Sequence, residues 1–401
     1  MSVDRTLTPE VLARVREMLR ELGLDGWLLY DFHGLNPVAT RVLGLTGLAT
    51  RRLFALLPVS GPPVALAHKI EAGRVEGFPG EVRQYAAWRE LETGLREMLK
   101  GRRVAMEYAA NDSVPYLDRV PAGVLELVRA SGAEVVSSSE LVSAVAARWS
   151  PEELANHRKA AALLREIALA AFDQVRQWHA ARAECTEQRL QQWVLEQFDR
   201  RGLATTDPPI VGVDAHAANP HYETADGPQT RIGPNQVLLL DLWAGTTRDT
   251  VYADQTWMAY TGSVVPAEVE KVWTVVRDAR DKAVSTLRER WSGGKVTGAD
   301  LDDAARGVIR AAGYGEQFVH RTGHSIDRDL HGSGPHLDNF ETHDDRRLLP
   351  GVGFSVEPGV YLKGRFGIRS EINVHMGEGG PEVTPSAPQE SLVRIALPAG
   401  V

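Results

Sequence analysis

Cysteine is almost absent from this chain: Cys185 is the single one in 401 residues. No internal disulfide can form, so nothing in the thiol content implies an oxidising compartment. The lone thiol reads as a packed side chain on a helix rather than a nucleophile. Basic blocks longer than two or three residues are also missing. With a formal net charge of −8 and a pI near 5.9, this argues against nucleic acid or an anionic membrane as partner. No apolar run approaches the ~20 residues of a membrane span, and Met1-Ser2-Val3-Asp4-Arg5 lacks the charged-then-apolar layout of an export signal. The expected location is the cytoplasm. A glycine-rich phosphate loop is absent too, which removes support for nucleotide binding. What remains is an ordinary globular composition, 43% hydrophobic and 24% charged, at a length comfortable for two domains.

Val11, Leu12, Val15, Leu19 and Leu22 recur at helical spacing and Gly23 follows as a stop. Short apolar strands then alternate with helices: Trp27 to Tyr30, Arg52 to Val59, Pro63 to Ala67 and Val104 to Met106, with helices near 88–99 and ending near 130. The pattern predicts a small mixed-sheet α/β domain over residues 1–148. At Ser150-Pro151-Glu152-Glu153 the texture changes. Ser150 suits an N-cap, Pro151 the first helical position, and Glu153 completes a capping box. A long helix to about Trp178 and a second over 186–200 open a larger α+β domain, 149–401. Its strands are expected at 236–241, 249–259, 354–357 and 368–374, with helices at 266–290 and 297–312.

Five residues of that domain carry the chemistry. Asp241 ends the apolar run Val237-Leu238-Leu239-Leu240, and Asp254 lies thirteen residues on, on the expected return strand of a hairpin. Two carboxylates near the open end of one hairpin can face a common point. His324 sits in a histidine-rich stretch with His320 and His331, Glu357 ends the expected strand 354–357, and Glu371 lies within the expected strand 368–374. Four carboxylates and an imidazole are too much negative charge to converge without a cation. The donor set suits two divalent metals sharing bridging carboxylates, Mn first, with Co or Zn as alternatives to the harder Mg. Two such ions roughly 3.5 Å apart generate a nucleophile from water near neutral pH. Pro358-Gly359 is read as a tight turn aiming Glu357. Arg369, two before Glu371, is expected on the same strand face, to orient that carboxylate or bind an anionic substrate group.

The chain resembles the pita-bread metallopeptidases, in the branch of prolidase (Xaa-Pro dipeptidase) and aminopeptidase P. The likeness rests on Asn219-Pro220-His221, the Asp241 and Asp254 pair, Gly323-His324 with His331, Val356-Glu357-Pro358-Gly359, and Gly367-Ile368-Arg369-Ser370-Glu371. Residues 150–400 match well. The first domain is similar to the family's creatinase-like N-domain through Leu28-Leu29-Tyr30 and Asn36-Pro37. The resemblance implies a pita-bread catalytic domain and a homodimer. It further implies that Asp241 holds one metal, His324 and Glu357 the other, and that Asp254 and Glu371 bridge. Glu357 would also manage the proton of the attacking water, and His221 and His331 would contact the substrate. The chain departs from the family in a longer gap between the two aspartates, Gln255-Thr256-Trp257 after Asp254, Asp327 in place of a usual glycine, and Ile372 after Glu371.

The implied reaction is hydrolysis of the bond preceding proline. That nitrogen carries no hydrogen and the ring fixes φ, so proteases that grip an amide N–H handle it poorly. The expected substrates are Xaa-Pro dipeptides, the alternative being longer Xaa-Pro peptides as in aminopeptidase P. For a dipeptidase, the charged stretch Asn339 to Arg347 should supply a partner for the free carboxylate. Arg346 is the first choice because it can bind bidentately, and His343 occupies the position of the family's arginine. A metal-free creatinase-like hydrolase, or a non-catalytic binding protein of this fold, would have lost the five ligands that this chain keeps.

Overall fold

In the computed structural model, which describes residues 7–224, 229–293 and 295–397, the chain forms two compact units, Met1–Arg148 and Trp149–Val401. The first contains α1 (Pro9–Glu21), β1 (Gly26–Asp31), α2 (Pro37–Leu43), β2 (Leu53–Pro58), β3 (Val64–His68), β4 (Glu81–Tyr85), α3 (Trp88–Leu99), β5 (Arg103–Met106), α4 (Ala122–Ala130), β6 (Glu134–Ser137) and a single turn, α5 (Ser139–Leu141). The six strands make one sheet in the order β4-β3-β2-β1-β5-β6. Pairing is antiparallel from β1 through β2 to β3 and parallel elsewhere. The mixed sheet expected from the alternating pattern is present. Its central strands β1 and β2 are buried along their whole length, which is why they read as continuous apolar runs.

The second unit opens with α6 (Pro151–Ala180), whose cap is the one legible in sequence. Ser150 Oγ accepts from Glu153 N at 3.1 Å and the Glu153 carboxylate accepts from Ser150 N at 2.8 Å. It continues through α7 (Glu187–Arg201), β7 (Ile210–Val213), β8 (Val237–Ala244), β9 (Ala253–Tyr260), α8 (Ala267–Arg290), α9 (Gly298–Ala311), β10 (Ser325–Ile326), β11 (Gly353–Val356), β12 (Gly359–Leu362), β13 (Phe366–Arg369), β14 (Ile372–Gly377), β15 (Gly380–Thr384) and β16 (Val393–Arg394). One sheet runs β16-β9-β8-β7 and a second β10-β11-β14-β15, with β12 and β13 as a separate hairpin. Each half therefore places two helices before a largely antiparallel sheet. Ala160, Ala161, Leu164, Ala168, Ala171 and Phe172 of α6 are buried in one core with Leu238, Leu240, Leu242 and Trp257 of the first sheet. The alanines let the helix lie close to the strands. No helix of the described residues is long and apolar enough to cross a membrane.

Cys185 lies in that core, just before α7 rather than on a helix, and burial pushes its thiol up to about 12. It is a packed side chain and no nucleophile.

Candidate metal centre

The hairpin of β8 and β9 sets the first two carboxylates. Asp241 pairs with Thr256 and Trp243 with Asp254, so Asp241, Asp254 and Thr256 share one face. The two aspartates are diagonal neighbours within reach of one another. Their wide sequence gap is absorbed by the connection 245–252, since β9 begins only at Ala253. The expected strand start at 249 therefore falls inside the loop.

The other three ligand candidates arrive on strand ends of the second half. His324 precedes β10, Glu357 follows β11, and Glu371 stands between β13 and β14. Ligand atoms of Asp254, His324 and Glu371 all lie within 4.8 Å of one another, and all three residues are buried. His324 Nε2 is 3.4 Å from Asp254 Oδ2 and 3.4 Å from Glu357 Oε1. Its Nδ1 is 3.2 Å from Ser325 O. A proton on Nδ1 bonded to that carbonyl leaves the Nε2 lone pair facing the carboxylates, the arrangement a metal-binding histidine needs. Asp241 joins through Thr256, whose hydroxyl is 3.1 Å from Asp241 Oδ1 and 2.8 Å from Glu371 Oε2. Arg369 donates from Nη2 to Asp241 Oδ2 and from Nε to Thr256 Oγ1. Arg369 and Glu371 thus converge, but not as one continuous strand face: β13 ends at Arg369 and Ser370-Glu371 turn the chain into β14.

Further polar groups hold these residues in place. Ser355 Oγ accepts from His324 N at 2.9 Å and donates to Glu357 Oε1 at 3.0 Å. Asn373 Oδ1 accepts from Asp254 N at 2.9 Å. Asp302, paired with Arg306, accepts from both the backbone and the hydroxyl of Thr322, and Thr322 O accepts from Glu357 N. Tyr361 bonds to His320 Nε2 at 2.7 Å, and a Cβ on Gly359 would lie 2.5 Å from the Tyr361 hydroxyl. Gly359 is there to admit the tyrosine, so a tight turn is not its reason.

A cation fits this donor set. Glu371 Oε1 is buried with no hydrogen-bond partner, a costly state for a carboxylate unless something else pairs with it. Burial, aided by Asp254 and Glu357 and opposed by Arg369, pushes Asp241 up to about 7. Burial first and then the neighbouring carboxylates raise Glu371, and burial raises Asp254 against the pull of His324. Glu357 goes the other way. Burial is opposed there by His324, Arg369, His320 and Arg321, which in sum hold it below the ordinary carboxylate range.

These directions have a measurable consequence. An acid whose folded pKa is raised keeps a proton that the unfolded chain has already released. Its contribution to stability is full below the ordinary value of 3.8 and, for Asp241, is lost as pH rises through about 7. A divalent ion pairs with the ionised form and so gains most where the proton must otherwise be lost. The rise in melting temperature on adding Mn or Co to metal-stripped protein should therefore grow between about pH 5 and about pH 8. Equal increments across that range in a thermal-shift titration would contradict the assignment of these carboxylates.

Not every expected residue joins the centre. His331 does: its ring meets that of His324 edge-on with centroids 4.3 Å apart. The charge of His324 and then burial push it down to about 3, so it is neutral. Asp327, which replaces a usual glycine, accepts from Asp329 N and Ser333 N and so ties the loop bearing His331. His221 is exposed on the loop after β7, close enough for its charge to act on His331. His343 is exposed and bonded to Asn339 at 2.8 Å.

Arg346 is a correction. It is buried, with Nε and Nη2 on Asp344, Nη1 on Ser333 O and Nη2 on Gly334 O. Every nitrogen of its guanidinium is committed, leaving no edge for a substrate carboxylate. Arg346→Ala should therefore cost about 3 kcal/mol of stability by stranding Asp344. Its selectivity between dipeptides and C-terminally amidated substrates should stay unchanged. A selective rise in KM for dipeptides would restore the substrate role.

Residues 155–378 match the model of metallopeptidase family M24, and the chain belongs to that family. Probable dipeptidase PepE of Mycobacterium tuberculosis is 32% identical over 184 residues, 46% of this chain and 45% of that protein. The Xaa-Pro dipeptidase of Lactobacillus helveticus is 34% identical over 164 residues, 40% of each. The matched stretch thus spans less than half the length of these curated relatives. In three dimensions, dipeptidase PepE from Mycobacterium ulcerans has a TM-score of 0.73 at 23% identity, covering 98% of this chain and 99% of that one. A mixed α/β unit followed by a pita-bread unit, as the resemblance implied, is the fold found.

Proposed function

We propose that this protein is a dinuclear-metal peptidase that cleaves the bond preceding proline, with Xaa-Pro dipeptides as substrates. The observation that carries the reading is the buried group Asp254, His324 and Glu371, with Asp241 and Glu357 bonded into it and one Glu371 oxygen unpartnered. Asp241 on one side, His324 and Glu357 on the other, and Asp254 and Glu371 between them would hold two ions, with Mn favoured and Co or Zn as alternatives. Bound there, the ions would supply activation of water and polarisation of the scissile carbonyl.

The chain's own residues do the rest. Glu357 is ionised at neutral pH despite its burial, so it can take the proton from the attacking water. Arg369 fixes Asp241 and Thr256, keeping their oxygens in one orientation. His221 and His331 would face the substrate and can donate to its carbonyl or bind its terminus. The names of the similar proteins, dipeptidase PepE and Xaa-Pro dipeptidase, support a dipeptide. The engagement of Arg346 removes the expected anchor for a free carboxylate and so favours the second reading, an aminopeptidase acting on longer Xaa-Pro peptides. Assays of Ala-Pro, Ala-Pro-Ala and amidated Ala-Pro with Mn present separate the two. Preference for free Ala-Pro supports the dipeptidase, whereas equal cleavage of all three supports the aminopeptidase. Cleavage of none of them would remove the proline reading altogether.

A further inference from the structure

The loop that carries His221 is built around a carboxylate that the chemistry above does not use. Glu187, the first residue of α7, is fully buried. Its Oε1 accepts from Val213 N at 2.7 Å, at the point where the chain leaves β7. His216 Nδ1 lies 3.0 Å from Oε1 and 2.9 Å from Oε2, and the Tyr222 hydroxyl donates to Oε2 at 2.7 Å. The rings of His216 and Tyr222 stack with centroids 4.2 Å apart. One carboxylate therefore holds the outgoing arm of the loop through His216 and the returning arm through Tyr222, the residue next to His221.

Two other contacts make the loop a defined shape rather than a tether. Thr224 Oγ1 bonds both the N–H and the C=O of Val211, closing the loop back on β7. On its far side, a Cβ on Gly367 would stand 2.0 Å from Ala217 O, so the loop backbone rests directly on β13. That strand ends at Arg369, which grips Asp241. The loop is thus registered against the strand that reaches the metal centre. A buried carboxylate is costly to retain, and here its three donors are spread over just this loop and its root.

We propose that Glu187 is a positioning residue for His221, clamping both arms of the 214–222 loop so that the imidazole faces the metal centre. The inference rests on the substrate-contact role given to His221 above. Glutamine at 187 offers one acceptor oxygen to three donors and turns an amide N–H toward at least one of them. Tyr222→Phe removes a single arm and leaves the carboxylate in place.

The test is a double-mutant cycle on the metal-loaded enzyme with Ala-Pro, joined to hydrogen–deuterium exchange of segment 214–222 in metal-free protein. Glu187→Gln should lower kcat/KM about tenfold or more, the scale of one or two hydrogen bonds to a charged group. Metal content should be unchanged and amide exchange in 214–222 faster. In the His221→Ala background the same change should cost less than about twofold, because the group it positions is gone. Fully additive losses, or unchanged exchange, would overturn the proposal. So would normal activity of Glu187→Gln beside an impaired His221→Ala, which leaves the role of His221 standing. Normal activity of His221→Ala would remove that role and the clamp's purpose together. Should Glu187→Gln not fold, Tyr222→Phe carries the same cycle, with a smaller loss expected and additivity again contradicting it.

Discussion

Asp254→Asn should release both metal ions and bring peptide hydrolysis down to background. Asp254 is buried, lies beside His324 at 3.4 Å and shares the cluster with Glu371. It sits diagonally across the hairpin from Asp241, and the proposal makes it a bridge between two ions. An amide there is neutral and has one acceptor oxygen in place of two, so it cannot serve both ions. Asp241→Asn, at the position the proposal makes a ligand to one ion alone, should lower the metal content by one. Elemental analysis of purified, Mn-reconstituted variants checks both. Two ions retained per chain by Asp254→Asn would show that the bridging assignment is wrong.

Glu357→Gln should cost on the order of 10²-fold or more in kcat while the fold stays intact. Glu357 is the one carboxylate of the cluster held below its ordinary range, because its burial is more than offset by the groups around it, His324 and Arg369 foremost. Ser355 donates to its Oε1 at 3.0 Å and its backbone N–H is bound to Thr322 O. A group fixed in this way and ionised at neutral pH is suited to receive a proton, and the amide cannot. The comparison requires kcat at saturating Ala-Pro together with metal content. A near wild-type rate with both ions present would assign proton transfer to another group.

Much of the candidate centre was legible as residue types, because hard ligands at strand ends are rare and the flanking glycines and prolines are specific. What lay beyond sequence reading follows one rule. Thr256, Ser355 and Asn373 each stand two residues from a ligand candidate on a strand or strand end, hence on the same face. Each hydrogen-bonds into the cluster. Period two applied outward from Asp254, Glu357 and Glu371 would have singled them out. Long-range partners had no such signal. Glu187 reaches the His221 loop from a helix 26 residues before Val213, and nothing local marks it.

The error over Arg346 has a physical origin. A charged stretch reads as solvated or substrate-facing, but Asp344 two residues earlier buries the guanidinium in a complete set of acceptors. Pro358-Gly359 misled in a similar way, since a glycine demanded by Tyr361 is indistinguishable in sequence from one demanded by a turn. In the N-terminal unit, by contrast, helical spacing and apolar runs carried the fold, the latter because β1 and β2 are buried along their whole length.

The most direct test of the metallopeptidase account is hydrolysis of Ala-Pro by protein stripped with a chelator and then titrated with Mn, with bound metal measured in parallel. The account predicts no activity in the stripped protein and recovery that follows the binding of two ions per chain. Undiminished hydrolysis by metal-free protein, or recovery complete with no ion bound, would contradict it.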